Sequence, residues 1–135
     1  MLADNRRIIM ATNGTFHWNE LMTRNAEAAK RFYGATLGWT FEAMDQDGSA
    51  PTYWVAQVGG EPVAGIFQLG KDDQDTDEGW FAYVAVTDLS TALARATSEG
   101  GEVVREPWDV PGVGRIAIVN DNAGNSMGWM TPAEQ

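Results

Sequence analysis

The sequence predicts an α+β fold of two tandem βαβββ modules, their mixed sheets curling around a cleft. Three observations carry this expectation. A helix signal occurs twice, strand-like flanks surround both copies in the same order, and turn residues separate the strands.

The first helix signal is RNAEAAKRFYGATLG (24–38), with Asn25 placed as N-cap and Gly38 as the stop. The second is TDLSTALARATSEGG (87–101), with Asp88 as N-cap and Gly101 in the closing position. Leu89, Ala92, Leu93 and Ala96 fall at i, i+3, i+4 and i+7, one apolar stripe of a helix. Asn25 to Asp88 is 63 residues, and so is Gly38 to Gly101. TFHWNELMT precedes the first helix and GWFAYVAVT the second, both rich in β-branched or aromatic residues. After the first helix come WTFEAMD, the turn QDGS, TYWVAQV, the turn GGE and PVAGIFQL. After the second come EVVREPW, the loop DVPGVG, RIAIVN, the turn DNAG and NSMGWMT. The expected organisation is a tail over 1–13, a first module over 14–69, an acidic connector over 70–78 and a second module over 79–135, in one domain overall. The tail either frays or wraps a partner.

Composition narrows the function classes. The 135 residues suffice for one domain with a core, and 44% apolar against 21% charged is ordinary for a globular chain. Nineteen acids against nine bases give a charge of −10 and no segregated basic patch, which argues against nucleic acid. No apolar run reaches the ~18 residues of a membrane span. The start MLADNRRIIMATNG lacks a secretory apolar stretch, and with no cysteine the expected location is cytoplasmic.

AEAAKRFYGATLGW (26–39), VTDLSTALARATSEGGEVV (86–104) and the closing hairpin IVNDNAGNSMGW (118–129) resemble the vicinal oxygen chelate superfamily, which includes glyoxalase I, extradiol dioxygenases, and fosfomycin- and bleomycin-resistance proteins. The resemblance spans residues 14–131. It implies a homodimer, since family members of this length commonly pair modules across subunits. It also implies four positions where metal-dependent members place one ligand per strand. Counting from the two helices and from Gly124 puts them at Trp18, Gly65, Phe81 and Gly128. None of these side chains binds a metal, so no metal and no cofactor is expected.

His17, the only histidine, is one residue out of that register, and alternation along a strand turns it to the opposite face. It reads as a half-buried or edge histidine, with a general acid or base role as the alternative. Asp73, Asp75 and Asp77 space like the start of a calcium loop, but the glycine falls at the seventh place and Val84 at the twelfth. PGVGR (111–115) lacks the lysine and hydroxyl residue of a phosphate loop and reads as a strand-to-strand tip.

Two aromatic rings and two glycines at converging positions suit a planar ligand: the rings stack it and the glycines let it approach the backbone. By alternation Glu20 shares the face of Trp18, and Tyr83 that of Phe81. The expected site is therefore Trp18, Glu20, Gly65, Phe81, Tyr83 and Gly128, in a metal-independent protein binding a planar or cationic organic molecule. Two alternatives stand beside it. One is an enzyme, either a metal-free lyase, isomerase or hydrolase using Glu20 as its base, or a metal-dependent lyase or dioxygenase with displaced ligands. The other is a protein-interaction module whose cleft the aromatics fill.

Overall fold

The computed structural model describes residues 12–44 and 50–133, in two compact units. One unit comprises residues 18–81; the other comprises the described residues from 82 onward with those up to 17. The predicted turn QDGS (46–49) and most of the predicted tail lie outside the described residues.

In the first unit the order is β1 (Phe16–Thr23), α1 (Ala26–Leu37), β2 (Thr40–Ala43), β3 (Tyr53–Val58) and β4 (Glu61–Gln68). The sheet runs β2-β3-β4-β1, with β1 parallel to β4 and the other pairs antiparallel. Asn25 begins α1 as predicted, its side chain accepting from the Ala28 N–H at 3.0 Å. Gln68, at the end of β4, accepts from the Ala26 N–H at 2.8 Å and donates to the Arg24 carbonyl at 2.9 Å, tying helix to sheet. Gly38 takes the left-handed conformation, φ 76°, and ends the helix as predicted. Ala56, Ala64 and Ile66 are buried on the helix-side face of β3 and β4, where two alanines let the helix approach closely. Lys30 of α1 lies 4.0 Å over the Trp54 ring on that same face. The β3–β4 hairpin turns on Gly59 and Gly60, φ 57° and 82°, where a primed turn requires two positive φ values.

The acidic connector is held at its start. Lys71–Asp73 form a short 3-10 turn, and the Arg24 guanidinium donates to the carbonyls of Asp73, Gln74 and Thr76.

The second half of the chain repeats the plan with β5 (Gly79–Ala85), which enters the second unit at Ala82, α2 (Leu89–Ser98), β6 (Glu102–Val110), β7 (Gly114–Asn120) and β8 (Ser126–Pro132). Its sheet runs β5-β8-β7-β6, and β5 pairs with β8 in parallel. Asp88 caps α2, accepting from the Thr91 N–H at 3.0 Å. Leu89 and Leu93 pack with Val86, Ala117 and Val119 into the unit's core, flanked by Trp129 and Met127. Burying such a side chain contributes about 1.5–3 kcal/mol. Asn13 accepts from the Thr87 N–H at 2.9 Å and Gly14 donates to the Ala85 carbonyl at 2.8 Å, which fixes the start of the described chain on this unit.

Two expectations are corrected. The left-handed residue closing α2 is Gly100, φ 93°, one position before Gly101. The Gly100 N–H donates to Thr97 and the Gly101 N–H to Ala96, the paired bonds of a Schellman close. Gly101 is needed for another reason, because a Cβ there would stand 2.8 Å from the Asn120 carbonyl oxygen. Half of the predicted loop DVPGVG is strand: β6 continues to Val110, β7 starts at Gly114, and the turn is Pro111–Val113 around Gly112, φ 78°.

Candidate functional site

The parallel registers place the predicted residues. In the first unit Glu20 is paired with Gly65; in the second Tyr83 is paired with Gly128. Both members of the second pair lie 63 residues beyond those of the first, so the repeat read from the helix caps also holds in the strands.

On the sheet face away from α1, Trp18, Glu20 and Gly65 come together around a residue the sequence analysis did not single out, Tyr53. The Trp18 indole N–H donates to the Tyr53 hydroxyl oxygen at 2.9 Å, and the Glu20 carboxylate lies near enough for its charge to act on that hydroxyl. Burial pushes the Tyr53 phenol far above its ordinary value, and the negative charge of Glu20 pushes the same way, so the hydroxyl stays protonated. The Tyr53 ring also lies on the bare backbone of Gly65. A Cβ at Gly65 would collide with the ring and its oxygen. Phe67 stands beside it, ring centroids 6.4 Å apart.

The second unit covers its glycine in the same way with a different residue. A Cβ at Gly128 would strike the ring of Tyr83, which is only 6% exposed. The tyrosine over Gly65 comes from the antiparallel neighbour β3, and that over Gly128 from the parallel neighbour β5. Phe81 is half-buried near the start of β5. His17 is exposed, one residue from half-buried Trp18, as strand alternation requires.

The four positions at which the family resemblance implies metal ligands do not fit a metal ion. The single nitrogen of Trp18 carries a hydrogen that it donates to Tyr53, Gly65 and Gly128 lie under tyrosine rings, and Phe81 has no donor atom. Among the described residues no three His, Cys, Asp or Glu side chains gather as a metal-binding group.

A groove of about 460 Å³ opens elsewhere, in the second unit beside α2, between Val84, Val86, Arg95 and Trp129. It contains none of the predicted site residues. The Trp18–Tyr53–Glu20 group instead sets a hydrogen-bonded indole and phenol beside a carboxylate in a partly buried setting. Directed polar groups beside apolar walls are what orient a ligand, so the latter is the stronger candidate.

Residues 15–127 match the profile of the Glyoxalase/Bleomycin resistance protein/Dioxygenase superfamily. The chain belongs to this family. CFP32 of Mycobacterium tuberculosis, named as a glyoxylase, is 34% identical over 122 residues, which cover 90% of this chain and 46% of the relative. The anthracycline biosynthesis protein DnrV of Streptomyces peucetius is 29% identical over 119 residues, 79% of this chain and 43% of DnrV. The chain thus spans about half the length of the curated relatives it matches. Among solved structures, methylmalonyl-CoA epimerase from Mycobacterium tuberculosis superposes with TM-score 0.62 at 18% identity, covering 96% of both chains. A hypothetical protein, BH1468 from Bacillus halodurans, superposes with TM-score 0.66 at 13% identity, over 92% of this chain and 98% of that one. At these identities the likeness concerns the fold. No helix among the described residues is long and apolar enough to cross a membrane.

Proposed function

We propose that this member of the glyoxalase and bleomycin-resistance family is a metal-independent small-molecule-binding protein, taking a planar or cationic organic ligand on the face that carries Trp18, Glu20 and Gly65. The observation that carries the reading is the Trp18 N–H bond to the Tyr53 hydroxyl with the charge of Glu20 beside it. It sets a carboxylate among aromatic rings, where polar groups fix orientation and apolar ones supply contact area. Phe81, and the Tyr83–Gly128 pair of the second unit, are the further proposed binding residues. Members of the family bind small molecules and often form dimers. A homodimer in the cytoplasm belongs to the same proposal, and the cysteine-free composition suits a reducing compartment.

The test is a titration of aromatic and cationic compounds against tryptophan fluorescence. We expect saturable quenching by some members of a broad library and its loss in Trp18→Phe. No response across the library would sink the binding reading.

One observation favours a second reading as a metal-free enzyme. The Glu20 carboxylate stands near the protonated Tyr53 hydroxyl, a base beside an acid as proton transfer requires, and a relative is named a glyoxylase. Here Glu20 is the base, and turnover of a carbonyl substrate would be abolished by Glu20→Gln with ligand affinity retained.

A further inference from the structure

Resting on the binding reading above, we propose that Tyr53 competes with the ligand for the backbone of Gly65, and that the ligand is a planar molecule with a hydrogen-bond acceptor on its edge. In the free protein the tyrosine ring covers the glycine; on binding, the ligand takes that place and the ring turns aside. Across β3 and β4 Tyr53 pairs with Phe67 and Val55 with Gly65, so the glycine lies one diagonal step from the tyrosine. Glycine leaves that step without a side chain, and the phenol leans over to fill it. The hydroxyl oxygen and the ring carbon that bears it crowd the point where a Cβ at Gly65 would be. A flat ligand on this backbone needs the same volume, and closely packed groups do not share volume.

The ring is held by contacts that a ligand can take over. The Trp18 N–H donates to its hydroxyl at 2.9 Å, and the Phe67 ring lies beside it, centroids 6.4 Å apart and planes tilted by 39°. A ligand ring against Phe67 replaces the second contact. The first is the more selective. Once the phenol leaves, the Trp18 N–H is unpaired in a half-buried setting, and an acceptor on the ligand's edge restores the bond. A flat hydrocarbon has nothing to offer it. Room to turn lies at the strand end, since Tyr53 is half-buried at the first position of β3 and Pro51 before it is exposed. Tyr83, by contrast, pairs directly with Gly128 and is only 6% exposed, so the ring over the second glycine has no comparable exit.

The probe is caffeine, a flat neutral molecule with carbonyl acceptors and enough solubility to reach saturation. Proton NMR should show Overhauser contacts between the Tyr53 ring and the Gly65 α-protons in the free protein, replaced at saturation by contacts from the caffeine methyl groups. In calorimetric titration Tyr53→Ala should bind caffeine about tenfold more tightly than the parent, as expected where the ring stands aside in about one molecule in ten. Tyr53→Phe keeps the ring without the bond from Trp18 and should bind about threefold more tightly. Circular dichroism matching the parent qualifies each variant, and Tyr53→Phe with the Overhauser contacts decides if Tyr53→Ala does not fold. Equal or weaker binding in a folded variant makes Tyr53 no competitor and overturns the proposal, leaving a small-molecule binder standing. A Tyr53–Gly65 contact that persists at saturation overturns it as well, since any gain in Tyr53→Ala would then come from a cavity made by the substitution. Caffeine binding to none of the three proteins overturns the competition too, whereas loss of the binding reading itself requires silence across the fluorescence library.

Discussion

Tyr53 performs two separable tasks, and substitutions can separate them. Tyr53→Phe keeps the ring over Gly65 but strands the Trp18 N–H. An unsatisfied polar group costs about 1–3 kcal/mol when buried, and Trp18 is only half-buried, so we expect a loss of about 1–2 kcal/mol in urea denaturation. Gly65→Ala tests the ring instead: a methyl group meets the phenol, and overpacking of this kind costs about 1–3 kcal/mol. In a Tyr53→Ala background the same substitution should cost much less, because no ring remains to strike. An undiminished cost there would mean that something other than Tyr53 fills the space. The sequence hid Tyr53 for a specific reason. Read outward from the Gly59–Gly60 turn, Val58 pairs with Glu61 and Gln57 with Pro62, and an unbroken ladder would set Trp54 opposite Gly65. A register shift between Ala56 and Gln57 moves the ladder by one residue. Val55 then faces Gly65, Tyr53 joins that face, and Trp54 turns to the helix side beneath Lys30. A bulge leaves no composition signal, so Glu20, Trp18 and Gly65 were legible by alternation and Tyr53 was not.

At the scale of elements, both helices begin where local chemistry dictates. Asn25 and Asp88 each accept from the N–H three residues on, and each was readable because a cap depends only on its neighbours in sequence. We expect Asn25→Ala to cost about 1 kcal/mol in urea denaturation, and Asn25→Asp to cost little. Asp88 adds a dependence on pH. Its carboxyl is held below its ordinary value, first by the backbone N–H of Thr91, so its folded pKa lies below its unfolded one. Its contribution is therefore present above the unfolded value and is lost as pH falls through the folded one. Asp88→Asn keeps a capping oxygen that does not titrate. The stability gap between parent and variant should narrow as pH falls from about 5 to about 2, the range over which a depressed aspartate gives up its contribution. Glu78 and Asp121 are shifted in the same direction but are common to both proteins, so the difference isolates Asp88. A gap that stays constant across this range would show that the cap contributes nothing through its charge. The far end of α2 was less legible than its start. Two consecutive glycines share the close, one for its left-handed φ and one for its proximity to the Asn120 carbonyl, and only the structure assigns the roles.

For the whole molecule, charge and length bear on association. Each chain carries −10, so two copies brought together repel one another unless apolar contact outweighs the repulsion. The matching stretch occupies under half of CFP32 and of DnrV, so a homodimer would bring the amount of chain near that of those relatives. The unit of 18–81 exposes large apolar side chains on which association could draw: Phe32 and Leu37 of α1 are 59% and 57% exposed, and Trp80 is 45% exposed. Driven in this way, dimerisation should strengthen with salt. Raising ionic strength from about 0.01 M to about 0.15 M shortens the Debye length from about 30 Å to about 8 Å and removes most of the repulsion between surface charges, while apolar burial is little changed. Sedimentation equilibrium should then report a mass approaching twice 14.7 kDa, with a dissociation constant that falls as salt is added. A dimer that weakens with salt would instead be held by opposite charges meeting across its interface. A single-chain mass at every salt concentration and at high protein concentration would remove the homodimer from the proposal.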